Sequence, residues 1–280
     1  MKKTKKWFPY ALVLPAFLVA MATVAYPIIN GVIQSFQDAS GNFTLENYTY
    51  FFTNENELSN ILFTLYIVVI TVVIAIVVAY LLAIYLRFSK SKISKIIGFL
   101  YLIPRFIPSM VAVYAMITII RDSGFLNRLF LLFGIDFVPS LMYSENGVIL
   151  MNLWFNIPFA AMIIASSMGG IQDSVIESAK DIGASKWIIF KKIIFPLSYK
   201  DALIAGTFVF MSNVGSFTTP YLMGPNAPKL LGVDLFNQFN SYMDYPKAAA
   251  LSVIMFIICA ISAVVYIYTN MKENEWEKGN

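Results

Sequence analysis

Six long runs of apolar residues dominate this sequence, and they limit what the chain can fold into more than any other feature does. A lipid hydrocarbon core about 30 Å thick is crossed by roughly 20 residues of α-helix, so each run is long enough to span it. Only 13% of the residues are charged, whereas roughly 25% is usual in soluble domains. We therefore expect an all-α integral membrane protein with six transmembrane helices. The predicted spans are approximately residues 8–35, 60–86, 96–120, 146–168, 201–219 and 248–270.

Charged residues between the spans alternate in sign from one side to the other. Lysines and arginines lie in residues 2–6, 87–95, 180–200 and 272–278, whereas the segment between the first two spans has acidic residues and no basic one. By the positive-inside rule, both termini and the lysine-rich segments are predicted to be cytoplasmic, which requires an even number of spans. The first run also resembles a secretory signal, but it stays free of charge up to Asp38, so we interpret it as an uncleaved span. With no linker in evidence, one transmembrane domain is expected over residues 1–280.

The composition excludes several kinds of chemistry. The chain has no histidine, and its single cysteine, Cys259, lies in an apolar run, so a histidine base, a disulfide framework and the usual metal sites are not expected. No glycine is followed by lysine, so the sequence contains no phosphate-binding loop of the G-x-x-x-x-G-K-[ST] kind. The net charge of +4 arises from short segments between spans rather than from one basic patch. We expect no enzyme activity, no metal site and no nucleic-acid partner.

The segment after the fourth span, residues 169–200, carries the most informative pattern. It predicts two short helices on either side of Gly183, because glycine readily adopts the left-handed conformation that ends a helix. Asp173 and Ser174 are predicted to cap the first helix. The second helix is predicted to end before Pro196, which would bend the chain toward the fifth span.

This segment resembles the EAA loop of permease subunits of ABC importers, in which an E-A-A triplet precedes a glycine and, about nine to twelve residues later, a proline-leucine pair. A serine replaces the middle alanine, which keeps that residue small. Together with the six spans, the resemblance covers nearly the whole chain. The residues that match the coupling loop are Glu177, Ser178, Ala179, Gly183, Ala184, Pro196 and Leu197.

The resemblance implies the type I ABC importer permease fold in the bacterial cytoplasmic (inner) membrane. It implies that the loop docks onto a separate ABC ATPase, and that this partner binds ATP and Mg²⁺ while the present chain holds no cofactor. It also implies a second permease subunit, homologous or identical, and an extracellular or periplasmic substrate-binding protein. The alternative for the loop is an amphipathic segment that lies on lipid headgroups, given its five lysines.

Polar residues within the predicted spans are the candidates for a substrate pathway. A charge about ten residues into the third span either faces a pathway or reaches to the membrane surface. Small polar residues in the fourth and fifth spans either bond neighbouring helices or line the pathway. The candidate residues are Arg105, Asn152, Asn156, Asn213 and Ser216.

The substrate is indicated only by resemblance. Residues 41–48 and 231–252 look most like the spermidine/putrescine, phosphonate and iron branch, and within it the spermidine/putrescine type implies a small polar solute such as a polyamine. Arg105 in the pathway would instead favour an anion, so a sugar, a phosphonate or another anion is the alternative. A secondary transporter is a second class, disfavoured because the span interiors offer no Asp, Glu or His for ion coupling. A membrane enzyme or scaffold is a third, and a catalytic dyad for it is missing.

Overall fold

The computed structural model describes residues 8–278, and almost all of this part of the chain is helical. Between Gln37 and Phe43 it has a single antiparallel bridge. The helices are α1 (Phe8–Ala20), α2 (Tyr26–Ser35), α3 (Glu46–Thr53), α4 (Glu55–Phe88), α5 (Lys92–Leu100), α6 (Ser109–Ile120), α7 (Phe125–Leu131), α8 (Glu145–Gly169), α9 (Asp173–Asp181), α10 (Lys186–Ile189), α11 (Phe195–Val214), α12 (Thr218–Met223), α13 (Leu231–Phe236) and α14 (Tyr245–Lys278).

Six helical stretches in the described residues are long and apolar enough to cross a membrane. This confirms the expectation of an all-α protein with six membrane helices. The predicted sides of the membrane depend partly on lysines in residues 2–6, which lie outside the described residues. The stretches are Leu12–Ser35, Glu55–Phe88, Ser109–Leu131, Glu145–Gly169, Lys186–Val214 and Tyr245–Val264.

The third apolar stretch lies further along the chain than the predicted residues 96–120. Helix α5 ends at Leu100, a 3₁₀ turn covers Ile103–Phe106, and a regular helix resumes only at Ser109. The cause is the pair Pro104 and Pro108, since each lacks the backbone N–H that a continuing helix needs.

The fifth stretch begins at Lys186 instead of residue 201, because the helix runs through Pro196. The prediction that the second loop helix ends before this proline is therefore wrong. A π-helical turn, Phe190–Ile194, stands directly before α11 and joins α10 to it. A π turn widens the helix by one residue and so accommodates a ring that would clash with a carbonyl one turn earlier.

The described chain divides into two compact units, the first reaching to Leu58 and including Leu235–Ile254, the second comprising Ser59–Asp234 and the residues from Met255 onward. In the first unit the Asn47 amide donates to the carbonyl oxygens of Ser35 and Gln37, at 3.0 and 2.9 Å, which fixes α3 against the end of α2.

The core of the second unit is built from α4, α8 and α11 together with the loop helices α9 and α10. Small side chains at buried positions let helix backbones approach closely, as is usual for helices packed in lipid. The buried alanines of the three long helices are Ala75, Ala79, Ala83, Ala160, Ala161, Ala202 and Ala205.

Candidate functional site

The predicted bend at Gly183 is present, with a φ of 80°. Its N–H donates to the carbonyl oxygen of Lys180 at 2.9 Å, and the N–H of Ala184 donates to that of Ala179 at 3.0 Å. This pair of bonds is the Schellman arrangement, which satisfies carbonyls at a helix end and needs a left-handed residue after it. The conformation predicted for Gly183 is confirmed.

The beginning of α9 differs from the prediction. Gln172 occupies the cap position and Asp173 is the first helical residue, so neither Asp173 nor Ser174 caps the helix. The Asp173 carboxylate instead accepts a hydrogen bond from Arg87 Nη2 at 2.7 Å. On the other side of the bend, Ser185 caps α10, where its hydroxyl accepts from the N–H of Ile188 at 3.3 Å.

Arg87, at the end of α4, holds the loop in place. Besides its bond to Asp173, its guanidinium donates to the carbonyl oxygens of Met168 at 3.2 Å and Ile171 at 2.8 Å. These carbonyls lie at the end of α8 and in the turn before α9. The sequence marks Arg87 only as one of several basic residues on one side, and its contact with the loop, more than eighty residues away, leaves no signal in a single sequence.

The helix pair presents two different faces. Ala179 is buried and Ala184 is half-buried against the core of the second unit, while Glu177 and Ser178 are exposed. Ile182 and Trp187 are among the exposed apolar side chains, with exposed fractions of 86% and 68%. Exposed apolar patches of this kind mark a surface that binds either a protein or the membrane. The exposed residues of the pair point to more than one side, since Val175 and Glu177 are two residues apart on α9. We use the name loop face for the exposed residues Val175, Glu177, Ile182, Trp187 and Ile188 together.

Pro196 and Leu197 are exposed at the start of α11, and the residue after them anchors this helix. The buried hydroxyl of Ser198 donates to the carbonyl oxygen of Ile194 at 2.6 Å. Because that bond uses the proton of Ser198, the hydroxyl of Tyr80 on α4, at 2.5 Å, is the donor in the second contact. The coupling residues Glu177, Ser178, Ala179, Gly183 and Ala184 thus lie around one bend, whereas Pro196 and Leu197 lie beyond a π turn.

Three of the candidate pathway residues meet between α8 and α11. The buried Asn156 amide donates to the carbonyl oxygen of Asn152 at 2.7 Å and lies 3.4 Å from Asn213 Oδ1. The Ser212 hydroxyl lies 3.5 Å from Asn156 Oδ1. The contacts of Asn156 with Asn213 and with Ser212 cross from α8 to α11. In the described chain Asn152 Nδ2 is buried and has no hydrogen-bond partner.

Arg105 and Ser216 are not part of this cluster. Arg105 lies in the 3₁₀ turn before α6, and its guanidinium carbon is 4.8 Å from the ring centroid of Phe159 on α8. A cation over an aromatic face is a favourable contact. Ser216 follows the end of α11, where its N–H donates to the carbonyl oxygen of Asn213 at 3.1 Å.

Comparison with known proteins gives both the family and the fold. Residues 75–271 match the family described as binding-protein-dependent transport system inner membrane component. The spermidine/putrescine transport system permease protein PotB of Escherichia coli strain K12 is 28% identical over 176 residues, which are 62% of this chain and 64% of PotB. The thiamine transport system permease protein ThiP of Haemophilus influenzae is 27% identical over 157 residues, 55% of this chain and 29% of ThiP. The match therefore spans less than two thirds of each of these relatives.

Solved structures share the fold at low identity. A chain of a bacterial alginate ABC transporter, crystallised with an alginate pentasaccharide-bound periplasmic protein, superposes with a TM-score of 0.81 at 19% identity and covers 95% of this chain and 93% of its own. A chain of the MetNI methionine ABC transporter gives 0.56 at 15% identity, covering 81% and 99%. The fold is thus that of type I ABC importer permeases. Because the family match takes in well over half of the chain, this protein belongs to the binding-protein-dependent transport system inner membrane components.

Proposed function

We propose that this chain is a permease subunit of an ATP-driven ABC importer, and that its loop face docks onto a separate ATPase. The observation that carries this proposal is the exposed apolar surface around Ile182 and Trp187, on a helix pair whose bend is fixed by hydrogen bonds at Gly183. Glu177 is also exposed on the helix pair and offers a charge-assisted hydrogen bond to a basic group of the partner. Arg87 ties the loop to the end of α4 and to α8, so a displacement of the loop is passed directly to membrane helices.

The other parts of the importer follow from the same proposal. The chain acts as one transmembrane domain in the bacterial cytoplasmic membrane, with both termini and the loop in the cytoplasm. It forms half of the pathway, and a second permease, identical or homologous, forms the other half. A periplasmic or extracellular binding protein delivers the solute. The ATPase subunits bind ATP and Mg²⁺.

We propose a small polar solute such as a polyamine as the substrate, because PotB relatives are among those most similar to the chain. Arg105 lies in a 3₁₀ turn, and its guanidinium lies over the Phe159 ring. This contact weakens the case for an anionic solute that the sequence position of Arg105 suggests. A sugar, a phosphonate or another anion is the alternative. If the solute is an anion, replacing Arg105 should abolish uptake.

The docking proposal is tested by placing a charge in the loop face. Ile182→Asp and Trp187→Glu each put a carboxylate where the partner is proposed to pack, at the cost of desolvating it. We expect these variants to insert normally but to lose co-purification with the ATPase and vanadate-sensitive uptake of putrescine into proteoliposomes. Phe43→Asp is the matched control, since Phe43 is 77% exposed and lies outside both the loop and the six membrane-spanning stretches. Retained ATPase binding by both loop variants would contradict the proposal.

A further inference from the structure

We propose that a cavity between the end of α8 and the beginning of α11 binds an ammonium group of the transported solute, with the carboxylate of Asp201 as its counter-charge. This inference rests on the proposed function and narrows the solute to a cation. The cavity measures about 540 Å³ and is lined by Met162, Ile163, Ser166, Ser167 and Asp201. Its polar lining thus combines one carboxylate with two hydroxyls.

Two groups at this cavity have unused hydrogen-bonding capacity. The Ser167 hydroxyl is buried and has no hydrogen-bond partner in the part of the chain that the structure describes. Among the same residues, Asp201 takes part in neither of the two ion pairs, Arg87–Asp173 and Lys247–Asp244, nor in a side-chain hydrogen bond. A buried hydroxyl without a partner, as at Ser167, can be satisfied by a ligand, a water or an ion. The Asp201 side chain is only half-buried, so its carboxylate is accessible to a solute from the cavity.

The position of the cavity follows from the antiparallel register of α8 and α11. Ser212 meets Asn156. Eleven residues later on α8 and eleven residues earlier on α11, Ser167 and Asp201 line the same cavity. Eleven residues are close to three full turns, so the two pairs lie on the same side of the helices and about 16 Å apart. Between them, Phe159 and Phe208 form an edge-to-face contact with ring centroids 6.3 Å apart.

We call the polar group around Asn156 and Ser212 the first level and the group around Ser167 and Asp201 the second level. They differ in how far their hydrogen-bonding groups have partners within the protein. Asn156, Ser212 and Asn213 bond one another and the neighbouring backbone, and of this level only the Asn152 Nδ2 is buried without a partner in the described residues. The level of Ser167 and Asp201 is open and keeps a cavity. We infer that the first level joins the helices and that the second is free to receive a ligand.

The lining favours an ammonium group over other ligands. A protonated amine offers three N–H donors, which suits one carboxylate and two hydroxyl oxygens. An anion would meet the charge of Asp201 directly. Calcium takes six to eight oxygen ligands, more than this lining supplies. Arg87 bonds Asp173 and backbone carbonyls, and the guanidinium of Arg105 lies over Phe159. Lys200 is the basic residue next to Asp201 in the sequence, and the Lys200→Gln variant tests its contribution separately.

The test uses the assembled complex in nanodiscs and measures charge selectivity without relying on transport. In a Cys259→Ser background, Ser166→Cys places a thiol in the lining. Its rate of modification is compared for a cationic aminoethyl and an anionic sulfonatoethyl methanethiosulfonate; in each case the thiolate forms a disulfide and methanesulfinate leaves. Rates are normalised to those of 2-mercaptoethanol. We expect a preference for the cationic reagent on the order of tenfold, as a unit charge a few ångströms away would give.

Three further measurements decide the origin of this preference. Adding Asp201→Asn should remove it, whereas Lys200→Gln, which changes the charge of the adjacent residue, should leave it in place. Putrescine should slow the cationic reagent, whereas 1,4-butanediol, which has no charge, should not. The proposal is overturned if Asp201→Asn leaves the preference unchanged, or if putrescine gives no protection. If the unsubstituted complex showed no ATP-driven uptake of any solute, the proposed function would be refuted instead, whatever the outcome at Asp201.

Discussion

Arg87 Nη2 lies 2.7 Å from the Asp173 carboxylate, and the same guanidinium also bonds the carbonyl oxygens of Met168 and Ile171. These three contacts contribute unequally to the stability of the fold. The side chain of Asp173 is 71% exposed, and an exposed ion pair contributes about 0–1 kcal/mol because water screens it. The carbonyls are better shielded, so we assign the anchoring mainly to them.

Arg87→Gln should therefore cost more stability than Asp173→Asn. Loss of the bonds to the two carbonyls is expected to cost about 1–3 kcal/mol, whereas removal of the exposed carboxylate should cost less than about 1 kcal/mol. Unfolding in a mixed detergent titration measures both. If the two variants were equally destabilised, the ion pair itself would be the main anchor.

Gly183→Val should impair coupling through backbone strain rather than through collision. A Cβ placed at Gly183 meets no atom within 4 Å, so space is available, but its φ of 80° disfavours any residue with a branched side chain. We expect loss of ATP-driven uptake with normal membrane insertion. Gly183→Asn is the matched control, because asparagine tolerates the left-handed region and should keep most of the uptake. Equal loss in both variants would contradict this explanation.

The bend at Gly183 could be predicted from sequence because a helix end is a local event, decided by the glycine itself. The continuation of the helix through Pro196 could not be predicted, because the sequence does not distinguish a helix that ends before a proline from one that continues through a π turn. The capping role that the sequence predicts for Asp173 is wrong for a related reason. Its partner Arg87 is eighty-six residues away, and the choice between a cap and an ion pair depends on packing.

The sequence does not predict the cavity at Asp201, for a different reason. Asp201 stands at the predicted start of the fifth span, where a carboxylate is expected to be solvated. The structure extends that helix back to Lys186, so Asp201 lies within it and faces the end of α8. Only the register of the two helices reveals this pairing.

Gly232→Ala should destabilise the second unit, because an added Cβ would collide with the carbonyl oxygen of Ser216. Backbone cannot give way as a side chain can, so we expect a cost of about 1–3 kcal/mol and a lower apparent melting temperature by tryptophan fluorescence. Gly206→Ala is the control, since its Cβ would only touch side-chain atoms of Ile76 and Val72 at 3.6–3.8 Å. A larger effect at Gly206 would contradict the prediction.

Asp38 should titrate below the ordinary range of an aspartate. Its carboxylate accepts from the backbone N–H of Asn42 at 2.9 Å and of Ser40 at 2.7 Å, and these bonds, that of Asn42 first, hold its pKa below 3.8. Since the folded pKa is the lower one, the stabilisation is present above about pH 4 and is lost as the pH falls through the folded pKa. A carboxyl-carbon NMR titration of labelled protein measures this directly. A midpoint above 3.8 would disagree.

The contact between Asn156 and Asn213 distinguishes helix pairing from pathway lining. Both side chains are buried, and the Asn156 amide lies 3.4 Å from Asn213 Oδ1. If the contact joins α8 to α11, a double-mutant cycle with Asn156→Leu and Asn213→Leu should give a coupling of about 0.6 kcal/mol, the usual size of an interhelical bond in lipid. Asn156→Leu should cost about 1–3 kcal/mol, because it leaves the buried Oδ1 of Asn213 without a donor. Asn213→Leu should cost less, because the Asn156 amide keeps its bond to the carbonyl oxygen of Asn152. Uptake per folded complex should then change little. A coupling near zero, together with a raised KM for putrescine in both single variants, would assign these residues to the pathway instead.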